Sequence, residues 1–316
     1  MTTSPMNRRQ ALRAAAASAA AVPVLASAQA KPKRAMRFDD PIWNRDVKAR
    51  MESFADPKKF VYGSVTGVVN GVREGERVRP LMRFDVFSTI RIVPQPDGSY
   101  QRLCKELIYY RDLATGKFMD HWDNPYTGER VKVVEVANDP FNYKISEWYP
   151  EPPSYGGLNK ERPPRKPFIL PWFMVDADTV CTETDIHLFY PSALQPEKWP
   201  RESPGKMSRV SELFRSFARR EHLEDPSLDF IPSHGVWSRI TPWLPWMLMD
   251  QAGGHIEYLG TMASRPTLDF HPKDVLERAK QRHPSYFVAP EVWSDPSLSS
   301  LEHYALEQKP AAPRAK

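Results

Sequence analysis

Two consecutive segments confine this chain more tightly than any other part of it. Residues 81–93 alternate, with Met82, Phe84, Val86, Ile90 and Ile92 on one side and Arg83, Asp85, Thr89 and Arg91 on the other. A period of two is the mark of a strand with one dry and one wet face. The turn signal Pro96-Asp97-Gly98 follows, and residues 100–111 resume the pattern, so the two segments predict an antiparallel hairpin. Further strand-like runs occupy residues 60–72, 118–122, 131–136, 168–175, 180–190, 237–241 and 255–262, joined mostly by short turns. A meander of this kind curls on itself. The predicted fold class is mainly β: an antiparallel β-barrel or half-barrel, lipocalin-like in architecture, with two or three peripheral helices.

Helices are expected at residues 44–54 and 272–282, the latter with Pro272 as its first residue. The strongest helical pattern lies at 208–221, where Val210, Leu213, Phe214 and Phe217 recur at helical spacing among arginines. Period two separates the faces of the strands without saying which is interior. The aromatic bulk beside Phe84 favours an apolar interior, which would leave Arg83, Asp85 and Arg91 on the surface.

The N-terminus carries a different message. Arg8 and Arg9, backed by Leu12 and Arg13, precede an Ala-rich stretch that closes on Ala26-Ser27-Ala28-Gln29-Ala30. A basic region, a short apolar region and a small-residue exit describe a cleavable export signal over residues 1–30. The arginine pair points to the twin-arginine translocase as partner during export, although Ala11 stands where such signals usually carry Phe. An ordinary secretory signal is the competing reading. Either route makes the mature chain periplasmic or secreted.

Cleavage after Ala30 removes three arginines and no acid, so the net charge falls from +5 to about +2. With both signs interspersed and no basic stripe, nucleic acid is not expected as a partner. After the signal no apolar run approaches the length of a membrane span. One β-rich domain is expected over residues 31–307, with 150–167 as a long loop inside it and 308–316 as a disordered Pro/Ala/Lys tail. Cys104 and Cys181 are the only cysteines. They stand either as a disulfide or as two buried thiols.

Candidate chemistry concentrates in two stretches. In the run Cys181-Thr182-Glu183-Thr184-Asp185-Ile186-His187, alternation puts Glu183, Asp185 and His187 on one strand face. Turned inwards, they make an acid/base set, with His187 as the base and Asp185 and Glu183 orienting it. The same residues offer a lesser possibility of a divalent metal at Glu183 and His187, and turned outwards they are a solvated face. The second stretch holds Trp237, Arg239, Trp243, Trp246 and Met247. It reads as an apolar wall with Arg239 anchoring a ligand oxygen or carboxylate, or as a loop plugging a barrel end.

His121 beside Asp120 and Asp123, His234, and His255 with Glu257 are further acid/base candidates, and Tyr109, Tyr110 and Tyr258 can supply phenolic donors. A Gly-rich phosphate loop, a nucleophile elbow and a His-Glu-x-x-His pair are all missing, so no nucleotide cofactor is expected.

The arginine-pair start, the turn Trp122-x-Asn124-Pro125-Tyr126-Thr127-Gly128-Glu129 and the segment Trp237-x-Arg239…Pro242-Trp243-Leu244-Pro245-Trp246-Met247 resemble a bacterial family of twin-arginine-exported proteins. That family is catalogued as number 1838 among domains of unknown function. The resemblance covers roughly residues 40–295 and implies one intact domain, without assigning a catalytic residue. The residues themselves suggest a periplasmic enzyme that moves protons on a small hydrophobic or aromatic compound, as a hydratase, dehydratase, isomerase or lyase does. A non-catalytic binding protein for the same kind of molecule is the alternative.

Overall fold

The computed structural model describes residues 33–149 and 164–314. The expected export signal with Arg8 and Arg9, and most of the expected 150–167 loop, lie outside the described residues. The first described element is helix α1 (Pro41–Glu52), whose first turn is capped by the Asp40 carboxylate accepting from the Ile42 and Trp43 amides. The strands are β1 (Val61–Val72), β2 (Arg79–Pro94), β3 (Tyr100–Arg111), β4 (His121–Asp123), β5 (Arg130–Lys132), β6 (Val136–Asn138), β7 (Tyr143–Ile145), β8 (Trp172–Met174), β9 (Thr179–Pro191), β10 (Met207–Arg219), β11 (Ser233–Thr241) and β12 (His255–Arg265). Among the described residues, three further short α-helices follow: α2 (Arg220–Glu224), α3 (Lys273–Arg282) and α4 (Ser300–Glu307).

Ten strands form one antiparallel sheet in the order β6-β3-β2-β1-β12-β11-β10-β9-β8, with β7 also beside β3, while β4 and β5 pair separately. The predicted 81–93/100–111 hairpin is β2–β3, turned at Gly98, whose φ of 78° suits a residue without Cβ. The sheet does not close, and its curl makes it a half-barrel. In a flat sheet β3 and β12, three strands apart, would stand about 14 Å from each other. The Tyr110 and Tyr258 hydroxyls nevertheless meet at 2.9 Å across the concave side.

Both ends of the concavity are filled. At one end α1 packs between Ile92 of β2 and Val180 and Ala218 of β9 and β10. At the other, the 3₁₀ turn Pro245–Met247 inserts Trp243, Trp246 and Met247 among Met82, Tyr110, Trp122 and Ile256. The Asn124 side-chain amide holds this turn by donating to the Met247 carbonyl at 2.7 Å.

Three expectations need correction, and one open alternative is decided. Residues 208–221 are not a helix: residues 207–219 form strand β10, which pairs along its whole length with β9. Its apolar residues fall on both faces, Val210 and Phe214 inside and Leu213 and Phe217 outside, which mimics helical spacing. The apolar side of β2 does face inwards, as expected, but of the charged residues expected on the surface only Arg83 is exposed. Asp85, Thr89 and Arg91 are 6%, 0% and 4% exposed, because α3 and the 3₁₀ turn Pro284–Phe287 lie over the outer side of β2 and β3. Residues 308–314 are not loose: the Ala311 amide donates to Glu202, and Arg314 pairs with Glu129 and Asp250. Finally, both cysteines are free thiols. Cys104 faces the concave side of β3 and Cys181 the convex side of β9, so no bond can join them.

Candidate functional site

The sheet register builds the most distinctive polar group in the molecule. Glu212 of β10 stands directly opposite Arg239 of β11, and Arg239 directly opposite Tyr258 of β12. All three project into the concavity, since Trp237 and Phe214, two residues along on β11 and β10, belong to the apolar core there. Arg239 Nη1 lies 3.3 Å from Glu212 Oε1, and the Trp237 indole N–H donates to Glu212 Oε2, also at 3.3 Å. The row is continued by the Tyr258–Tyr110 hydroxyl contact onto β3. Close backbone approach makes room for it. Gly67 and Gly260 sit opposite each other, and the Phe84 ring lies where a Gly260 side chain would be.

Glu106 faces this row from the far wall. It shares the inward face of β3 with Tyr110, and the Asn138 side-chain amide donates to it at 3.2 Å. Burial pushes its carboxyl above the usual carboxylate range, and the facing Glu212 carboxylate pushes it further. Five strand spacings separate β3 from β10, about 24 Å in a flat sheet, so their mutual influence is another measure of the curl. Burial also raises both phenols, Tyr258 to about 12 and Tyr110 well above its ordinary value, with the Tyr110 hydroxyl and then Arg239 holding Tyr258 back. The row is not sealed in: 27% of the Arg239 side chain and 17% of that of Glu212 remain accessible.

A second polar cluster lies under α1. Glu52 is contacted by Lys48 at 2.6 Å and by Arg102 at 3.0 Å, and the Tyr143 ring stacks on the Arg102 guanidinium. Burial alone would raise the Glu52 carboxyl, but the two cations hold it at about 2. Arg102 and Glu106 are four residues apart on one strand face, roughly 13 Å, so this cluster and the Arg239 row mark the two poles of the interior.

The sequence-predicted base is elsewhere. His187 and Asp185 stand on the convex face, with 67% and 65% of their side chains exposed. His187 contacts Asp185 at 3.1 Å and Ser211 at 3.0 Å, while Glu183 is held by Arg215. The three are neighbours on one face, as alternation requires, but that face is open, so the enclosed set with His187 as base is not what forms. The inward residues of β9 at this level are Thr184, Ile186 and Leu188. Glu183 and His187 are engaged with different partners, and among the described residues no three His, Cys, Asp or Glu side chains group as metal ligands would.

The second stretch divides. Trp237 and Arg239 reach the interior row. Trp243, Trp246 and Met247 form the plug, and only Trp246 approaches the row, its ring centre 5.5 Å from that of Tyr110. Of the other candidates, Tyr110 and Tyr258 come together, Tyr109 packs outward beneath α3, and His121 and His234 are exposed. Glu106 and Glu212 escaped the sequence reading. A lone carboxylate in the inward series Cys104, Glu106, Ile108, Tyr110 was the available signal for the first. The helical reading of β10 hid the second.

Fold and site together define an open antiparallel half-barrel with both ends stoppered and an ionisable interior. The family model described as "Protein of unknown function (DUF1838)" matches residues 59–307, and the chain belongs to that family. No curated protein matches it. Among the described residues, no helix is long and apolar enough to cross a membrane.

Proposed function

We propose that the mature chain is a periplasmic enzyme that moves a proton on a small hydrophobic compound bound within the half-barrel, without a nucleotide cofactor. The observation that carries this reading is Glu106, a half-buried carboxyl with a raised pKa facing Arg239, Glu212 and the tyrosine pair. A carboxyl raised towards neutrality is suited to give and take protons. Tyr258 and Arg239 are placed to receive a substrate oxygen, and Phe84, Trp237 and Phe214 supply the apolar walls. Hydration, dehydration, isomerisation and lyase cleavage all need no more than this. Export by the twin-arginine translocase accounts for the arginine pair at the start of the chain.

A carrier for the same class of compound is the second reading. It is favoured by the placement of the histidines on the long strands, His187, His234 and His255, all outside the concave rows. The test is to incubate the mature protein in D₂O with a panel of hydrophobic ketones, enones and alcohols and to follow carbon-bound deuterium by NMR. An enzyme exchanges or converts one of them, and Glu106→Gln lowers that rate by about 10²-fold or more while affinity stays within about tenfold. Binding of a panel member without exchange identifies the carrier.

A further inference from the structure

Where the plug meets the loop ahead of β10, the chain forms a polar cavity of about 60 Å³, bordered among others by Glu202, Ser203, Trp243 and Gln251. That is room for a few water-sized guests. Glu202 is only 3% exposed, and its two carboxylate oxygens fare differently. Oε1 accepts the Ala311 amide of the C-terminal segment, whereas Oε2 is buried with no hydrogen-bond partner among the described residues. The neighbouring donors are spent elsewhere. The Ser203 hydroxyl is turned to the Leu194 and Gly205 carbonyls, and the Trp243 indole N–H donates to the Ala252 carbonyl.

The charges around the cavity are one cation short. Arg201 and Arg314 each contact both Glu129 and Asp250, which closes a ring of two guanidinium groups and two carboxylates. Glu202 lies outside that ring and has no ion-pair partner among the described residues. A carboxylate taken out of water without a counter-charge is expensive. Water in the cavity would give Oε2 a hydrogen bond but no charge. Magnesium and calcium require a shell of several oxygen ligands, and among the described residues no three His, Cys, Asp or Glu side chains gather to hold a metal. One positive charge of about the size of water satisfies both the volume and the deficit.

We propose that this cavity binds a small monovalent cation, ammonium or potassium, with Glu202 as its counter-charge and Trp243 and Gln251 as its walls. Since the other oxygen of Glu202 holds the C-terminal segment, the ion ties that segment, the loop ahead of β10 and the plug into one unit. The site is independent of any ligand in the interior of the half-barrel.

Urea unfolding of the mature protein in about 0.1 M potassium, ammonium or tetramethylammonium chloride tests this, because ionic strength is shared and the ions differ in their access to the carboxylate. Potassium or ammonium raises the midpoint above that in tetramethylammonium, whose methyl groups keep its charge from closing on Oε2. The rise grows with concentration as mass action requires, and its size in each salt tells which of the two ions is preferred. Glu202→Gln keeps the shape, removes the charge and loses the rise. Asp185→Asn, on the open face of β9, also removes a charge and retains it. A midpoint common to the three salts, or a rise unchanged in Glu202→Gln, overturns the site. Should Glu202→Gln fail to fold, crystals of the wild type soaked in rubidium chloride decide the matter. An anomalous peak beside Glu202 Oε2 is the expected result, and its absence overturns the proposal.

Discussion

His271 shows how a single side chain can tie this fold to pH. It is buried on the convex side between Phe87 and Phe270, and neither ring nitrogen has a hydrogen-bond partner among the described residues. Burial depresses its pKa to about 4, with Asp85 opposing that in part. The folded state therefore keeps His271 neutral where the unfolded chain, titrating near 6.5, already binds a proton. The stability it contributes is whole above pH 6.5 and is lost as pH falls towards 4, by up to about 3 kcal/mol. Urea unfolding of the wild type and His271→Leu at pH 7 and pH 4.5 checks this, and the variant has the shallower decline. Residue identity alone gave partial sight of the interior. Trp237, Arg239, Tyr110 and Tyr258 were visible as aromatic and cationic anchors on strands. Glu106 and Glu212 were not, because a carboxylate on a strand is ordinarily a solvated residue, and only the curl of the sheet puts these two face to face.

At the level of elements, β10 and the plug carry opposite lessons. A strand with apolar residues on both faces has no clean period of two, and Leu213 and Phe217 on the outside of β10 turned its alternation into a false helical stripe. The plug declared itself through rigidity, since Pro242 and Pro245 bracket Trp243 and leave little backbone freedom. Its indoles are core rather than ligand wall. Trp246 is 4% exposed and touches Tyr110 and Trp122, so Trp246→Ala is expected to destabilise by about 3–5 kcal/mol. His187→Ala on the open face of β9 stays within about 0.5 kcal/mol. Chemical denaturation of both variants separates the two expectations. A large loss at His187 would contradict the exposed placement of β9.

For the molecule as a whole, the hairpins and the β-rich class could be read from local alternation and turn chemistry, because both are set by neighbours in sequence. The cover over β2 and β3 could not, since α3 arrives there from far along the chain. Export also belongs to this scale. If the arginine pair directs the precursor to the twin-arginine translocase, replacing Arg8 and Arg9 by Lys retains it in the cytoplasm, as cell fractionation would report. An undiminished periplasmic yield would assign the chain to the general secretory route.

The ladder that joins β1 to β12 runs over eleven residue pairs, and it also sets a clock. Each half of the sheet, β1–β3 and β9–β12, is assembled from strands close in sequence, and among the described strands that ladder is the one backbone pairing between the halves. β1 ends at Val72 and β12 begins at His255, so the ribosome must add more than 180 residues between them. At about 5–20 residues per second this takes roughly ten to forty seconds. Throughout that interval β1 presents a bare backbone edge, open to any other strand that passes. A permuted chain that begins ahead of β9 brings the two partners closer in order of synthesis. It should therefore fold faster and aggregate less while keeping the native strand pairings.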